Sequence, residues 1–134
     1  MMQLKNMRFH SVLMLTTLVL LIAGTSGVSA SDSGASAGYE ILNGSEIEAL
    51  IAGNTVGGAM ESSGEYAEFY AADGTIRGDG YTGEWSVEDH AMCFDYGNGA
   101  SCYEIAADGN QVEWIKDGEV DGTGTVSEGN PLDF

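Results

Sequence analysis

Met92-Cys93-Phe94-Asp95-Tyr96-Gly97-Asn98-Gly99-Ala100-Ser101-Cys102-Tyr103 is the stretch on which the fold turns. Glycine and asparagine at its middle supply the positive φ that a hairpin turn needs. With the turn centred on Gly97-Asn98, Cys93 falls opposite Cys102. Directly paired residues of an antiparallel ladder lie about 4.5 to 5.5 Å apart at Cα, within disulfide reach. The same register sets Phe94 against Ser101 and Met92 against Tyr103, with Tyr96 and Ile105 on that face. One face is therefore apolar, and the other carries the cysteines with Asp95, Ala100 and Glu104, so the bridge is expected to staple the outer face. Closing a loop of about ten residues contributes on the order of 3 kcal/mol in the chain-entropy picture. The tight Cys-x-x-Cys spacing of redox pairs is absent, which favours a structural role.

Outward from this hairpin, turn signals recur at Asp73-Gly74, Asp89-His90, Asp108-Gly109-Asn110 and Asp117-Gly118. Such spacing predicts an antiparallel meander. Alternation between the turns puts Trp85, Val87, Met92, Phe94, Tyr103, Ile105, Val112 and Trp114 on inward faces as the core. Upstream, Ser45 with Glu48 reads as a capping box, Ile47, Leu50 and Ile51 form an apolar face at helical spacing, and Gly53 stands at the C-terminal cap. One short helix is expected over residues 45–52. A meander must hide its edges, so the predicted fold is mainly β: a small closed or half-closed lipocalin-like barrel with the N-terminal helix as a plug.

Residues 1–30 read as a signal peptide: Lys5 and Arg8 without acids, an apolar stretch from Val12 to Ala23, then small residues ending Val28-Ser29-Ala30. The apolar stretch is about 12 residues, short of the roughly 20 that span a bilayer. Cleavage after Ala30 leaves a flexible leader, residues 31–38, and one β-domain over residues 39–134, expected as a monomer in the periplasm or the medium. That mature part keeps all 21 acids of the chain against Arg77 and Lys116, a net charge of −19. A field of that sign repels phosphates, which excludes nucleic-acid and membrane-surface roles. The acids are spread from Asp32 to Asp133 and do not cluster, which fits a whole-surface adaptation to salt better than a local cation site.

No catalytic constellation stands out. His90, the sole histidine after the signal peptide, sits in a turn beside Glu88 and Asp89 and reads as solvated. Triads and metal sites need several converging partners. Asp73, Asp79, Asp108, Asp117 and Asp121 lie near glycines but lack the order of a calcium loop, and Asp-Gly is a common hairpin turn. No metal or cofactor is expected. Gly78-Asp79-Gly80-Tyr81-Thr82-Gly83 matches the dinucleotide fingerprint G-x-G-x-x-G, yet it leads into the strand Glu84-Trp85-Ser86-Val87 where a helix N-terminus would have to receive the pyrophosphate. The match is read as turn chemistry.

Several pieces carry a resemblance: Gly53-Asn54-Thr55-Val56-Gly57-Gly58, Tyr70 to Gly78, Gly83-Glu84-Trp85, Cys93 to Tyr96 with Cys102-Tyr103, and Gly122-Thr123-Gly124-Thr125 running to Gly129-Asn130-Pro131. They resemble a family of small exported alphaproteobacterial proteins over about residues 40–131. The resemblance implies export, the disulfide and a compact β-domain, and no activity. Some relatives are labelled dihydrodipicolinate reductase, which the residues here do not support. Gly83-Glu84-Trp85 is also similar to the Gly-x-Trp of lipocalins, where it lies near the first strand; here it is mid-chain.

The leading functional expectation is a non-catalytic binding domain for a small apolar or cationic ligand, lined by Trp85, Phe94, Tyr103 and Trp114. The rival is a protein-interaction module that uses aromatics such as Tyr66, Tyr70 and Tyr81 on an exposed sheet face. Tyr66, Glu68 and Tyr70 share one face of their strand, which suits an aromatic and acidic contact surface, with half-buried packing as the other account of that face. An enzyme ranks third.

Overall fold

Residues 34–134 are described by a computed structural model. The expected signal peptide and the start of the leader lie outside the described residues. Turn chemistry sets the architecture. Asp89 (φ 47°) with His90 (φ 65°), and Asp117 (φ 52°) with Gly118 (φ 79°), form two-residue turns with both central residues at positive φ, the twist that suits a tight hairpin. The former joins β5 (Tyr81–Glu88) to β6 (Ala91–Asp95), and the latter joins β8 (Gln111–Lys116) to β9 (Glu119–Ser127). Between and before them run β2 (Asn54–Met60), β3 (Gly64–Tyr70), β4 (Thr75–Gly78) and β7 (Ser101–Asp108). Each of these strands pairs antiparallel with its sequence neighbour, and β9 returns to pair with β2, Val56 facing Val126 and Gly58 facing Gly124. The result is a closed antiparallel eight-stranded barrel with one extra strand, of the small lipocalin-like kind that the turn spacing predicts.

The extra strand, β1 (Glu40–Ile41), covers a specific gap. β6 pairs with β7 only over Ser101, Cys102 and Tyr103; beyond that, β1 takes over the same edge at Ala106 and Ala107. The Cys93 to Cys102 register is the expected one, with Cα atoms 4.0 Å apart and the disulfide formed.

The helix α1 (Gly44–Ile51) starts one residue earlier than its sequence pattern suggests, and its cap differs. Asn43, not Ser45, is the N-cap: its Oδ1 accepts from the Ser45 and Glu46 amides, and its own amide donates to Glu46 Oε2 at 2.8 Å. Two overlapping boxes, Asn43/Glu46 and Ser45/Glu48, satisfy the same spacing, and Asn and Ser are about equally good N-caps, so the local pattern does not choose between them. Gly53 (φ 77°) follows as the left-handed stop. His90 is not simply solvated: its Nδ1 accepts from the Gly44 amide at 2.9 Å, tying the β5–β6 turn to the start of the helix.

Ile47 and Ile51 on α1 are fully buried against β2, β5 and β6, so the helix plugs the end of the barrel that carries the β3–β4 and β5–β6 turns. All eight residues expected in the core face it; Met92, Phe94, Ile105, Val112 and Trp114 are buried, and Trp85, Val87 and Tyr103 pack around them. The end of the expected leader is held in place. The Ser36 amide donates to Glu113 Oε2 at 2.9 Å, and Glu113 is itself buried.

Candidate functional site

The alternation of β3 decides the site. Tyr66, Glu68 and Tyr70 do share one face of the strand, but that face points into the barrel, with Glu68 only 6% and Tyr70 1% exposed. The reading of these three as an exposed contact surface is therefore corrected. A two-residue period cannot tell inside from outside when the face in question carries a glutamate, and the charge argued for solvent.

Burying a carboxylate costs several kcal/mol unless its acceptors are satisfied. Three phenols satisfy Glu68. Tyr81 and Tyr96 both donate to Oε1 at 2.8 Å, and Tyr70 donates to Oε2 at 2.5 Å. Among the described residues no buried side-chain oxygen or nitrogen lacks a partner. Neither cation of the domain bonds to Glu68: Arg77 lies over the Phe69 ring and Lys116 over the Tyr103 ring, 5.9 and 5.0 Å from the centroids.

The phenols come from three places in the chain, and the glycines of G-x-G-x-x-G explain how two of them reach. Gly78 and Tyr81 are cross-strand partners flanking the Asp79-Gly80 turn, and the Tyr81 ring folds back over Gly78. The Tyr96 ring lies over Gly83. Gly80 (φ 79°) forms the turn itself. The motif thus seats two aromatic rings on bare backbone, and no helix follows it.

Above Glu68 opens a pocket of about 600 Å³ at the barrel end opposite α1. Tyr70, Phe94 and Trp114 lie deepest in it, Tyr66, Tyr81, Tyr96 and Tyr103 line its walls, and the exposed Ser62, Ser63, Glu65, Asn98 and Gly99 form the rim. The rings are in mutual contact, Phe94 edge-on to Trp114 at 5.4 Å and Tyr81 edge-on to Tyr96 at 6.0 Å between centroids. Trp114 Nε1 donates to the Tyr66 hydroxyl at 2.6 Å, and that hydroxyl donates onward to the Thr123 carbonyl at 3.1 Å. The wall is thereby locked in orientation without using Glu68.

Of the four residues expected to line a ligand cavity, Phe94, Tyr103 and Trp114 do so. Trp85 does not. Its Nε1 donates to the Ala71 carbonyl at 2.9 Å and its ring stands against Tyr70, on the far side from the pocket. Tyr96 escaped the sequence reading as a site residue, and Tyr81 entered it only as a surface aromatic, because their convergence on Glu68 depends on pairings 28 and 13 residues apart.

Burial raises the phenols of Tyr70, Tyr81 and Tyr96 above their ordinary value, and the charge of Glu68 together with the hydrogen bonds to it raises them further. Burial pushes Tyr66 up to about 12, against the lowering effect of its bond from Trp114. The phenols are consequently neutral around the buried Glu68, with aromatic faces about it, and a second acid, Glu65, stands exposed at the rim. Such faces attract cations through their quadrupoles.

No known protein family, curated protein or solved structure matches the chain.

Proposed function

We propose that this protein is an exported, non-catalytic binding domain that takes a small, partly apolar organic cation into the mouth of its barrel. The observation that carries the reading is the uncompensated Glu68 carboxylate at the base of an aromatic pocket. A buried charge without a counter-ion is favourable ground for a ligand of opposite sign, and the rings supply both apolar area and cation–π attraction of about 0.5 to 2 kcal/mol each. The net charge of −19 after signal cleavage adds a field that gathers cations toward the domain. The disulfide suits an oxidising compartment, and among the described residues no helix is long and apolar enough to cross a membrane.

Calorimetric titration of residues 31–134 with N-methylpyridinium, and with benzoate as an anion of similar size, tests the proposal. Saturable binding of the cation alone is expected, with loss of binding in Trp114→Ala protein whose far-ultraviolet circular dichroism is unchanged. Equal binding of benzoate, or no saturable binding of the cation, would overturn it.

A further inference from the structure

We infer that the pocket selects organic cations without N–H groups, namely quaternary ammonium compounds, over primary ammonium ions. The inference deepens the proposed function and rests on it. It follows from how the acceptors of Glu68 are used. An ionised carboxylate offers about four lone-pair positions. Oε1 already accepts from Tyr81 and Tyr96, and Oε2 from Tyr70, so three of the four are occupied before any ligand arrives.

The charge of Glu68 is free to act, but its hydrogen-bonding capacity is nearly spent. A primary ammonium brings three donors that lose water on entry. One can reach the remaining position on Oε2. At that depth the rest face the rings of Tyr70, Phe94 and Trp114 or compete with the phenols, because polar side chains such as Ser62, Ser63, Glu65 and Asn98 stand exposed at the rim of the pocket. Each unmet donor costs about 1 to 3 kcal/mol. The Tyr66 hydroxyl offers no relief, since it already accepts from Trp114 and donates to Thr123. A trimethylammonium group brings no donors at all. Its charge is spread over methyl groups that pack against aromatic faces, and its attraction to Glu68 acts through space. Phe94, Tyr96 and Trp114 supply those faces.

The test is a competition at constant ionic strength among choline, ethanolamine and 3,3-dimethylbutan-1-ol, a quaternary ammonium, a primary ammonium and the neutral isostere of the first. Calorimetry on residues 31–134 is expected to give choline at least about 10-fold tighter than ethanolamine, which corresponds to one unmet donor, and tighter than the neutral alcohol. Glu68→Gln should bring choline down to the affinity of the alcohol. Because that variant changes a buried charge and its folding could suffer, Tyr81→Phe/Tyr96→Phe provides a second arm: it frees both positions on Oε1, so ethanolamine should gain and the preference for choline should shrink. Ethanolamine binding as tightly as choline, or an unchanged preference in the double phenylalanine variant, would overturn the inference while leaving the cation-binding function intact. Failure of choline together with N-methylpyridinium would remove both.

Discussion

Tyr96 lies across Gly83 so closely that a Cβ at position 83 would stand 2.7 Å from its Cδ1 and 3.0 Å from the Asp95 carbonyl oxygen. The ring and the backbone close the space from two sides, so an added methyl cannot be accommodated by a side-chain rotation alone. Gly83→Ala should lift Tyr96 off the sheet, break its bond to Glu68, and destabilise the fold by about 1 to 3 kcal/mol, the usual cost of overpacking. Urea unfolding measures the loss, and titration with N-methylpyridinium should show weakened binding in the folded fraction. A variant as stable as the parent would mean that Tyr96 is not held there.

Alkaline pH should unfold the protein through the same phenols. Tyr66 is held up to about 12, and Tyr70, Tyr81 and Tyr96 are raised by burial and by Glu68. An unfolded tyrosine ionises near 10. Above that pH the unfolded chain releases protons that the folded chain retains, so stability falls as pH rises from about 10 through the folded values, and these groups leave it unchanged below. In a titration followed at 295 nm, the tyrosinate absorbance of these four residues should appear together with the loss of the β-sheet circular dichroism. Smooth ionisation near pH 10 with the sheet intact would contradict the cage.

The disulfide bears on the mouth of the barrel. β6 and β7 pair over only three residue pairs, Met92 with Tyr103, Cys93 with Cys102 and Phe94 with Ser101, and the loop that they close carries Tyr96. Replacing both cysteines by serine should cost on the order of 3 kcal/mol for a loop of this length. Urea unfolding of the parent with and without reductant should give the same difference, and an unchanged midpoint would show that the bridge adds nothing to the constraint of the hairpin.

Much of the barrel was legible because its turns are spelled by local chemistry. Asp89-His90 and Asp117-Gly118 each need only their own residues to fix a two-residue hairpin. The register of Cys93 and Cys102 follows by counting from Gly97-Asn98, but the ladder stops at Phe94 and Ser101, and the longer loop between them puts positive φ on Gly97 and Gly99, not on Asn98. The helix was legible to within a residue, its cap misassigned because Asn43/Glu46 and Ser45/Glu48 satisfy the same spacing. The site was legible only in part. Phe94, Tyr103 and Trp114 follow from strand alternation, whereas the inward direction of Glu68 depends on phenols supplied by two other strand regions, and no local rule makes a glutamate an inside residue. Trp85 shows the opposite limit. Alternation correctly turns it toward the core, but a core has a plugged end and an open end, and the helix on Ile47 and Ile51 decides which is which.

The two tryptophans therefore give a direct reading of where a ligand sits. Trp114 lies at the base of the pocket with its indole bonded to Tyr66, while Trp85 is bonded to Ala71 outside it. Pyridinium ions quench indole emission at contact, so N-methylpyridinium entering the mouth should quench Trp114 selectively. In Trp85→Phe protein the saturable quenching should persist with the parental midpoint. In Trp114→Phe protein it should vanish, leaving only the weak linear quenching of an indole met by diffusion, and binding itself should weaken by a few-fold, since one face of about 0.5 to 2 kcal/mol in cation–π attraction is replaced by a poorer one. Saturable quenching that follows Trp85 would place the cation at the plugged end of the barrel, and the pocket above Glu68 would then no longer be the site.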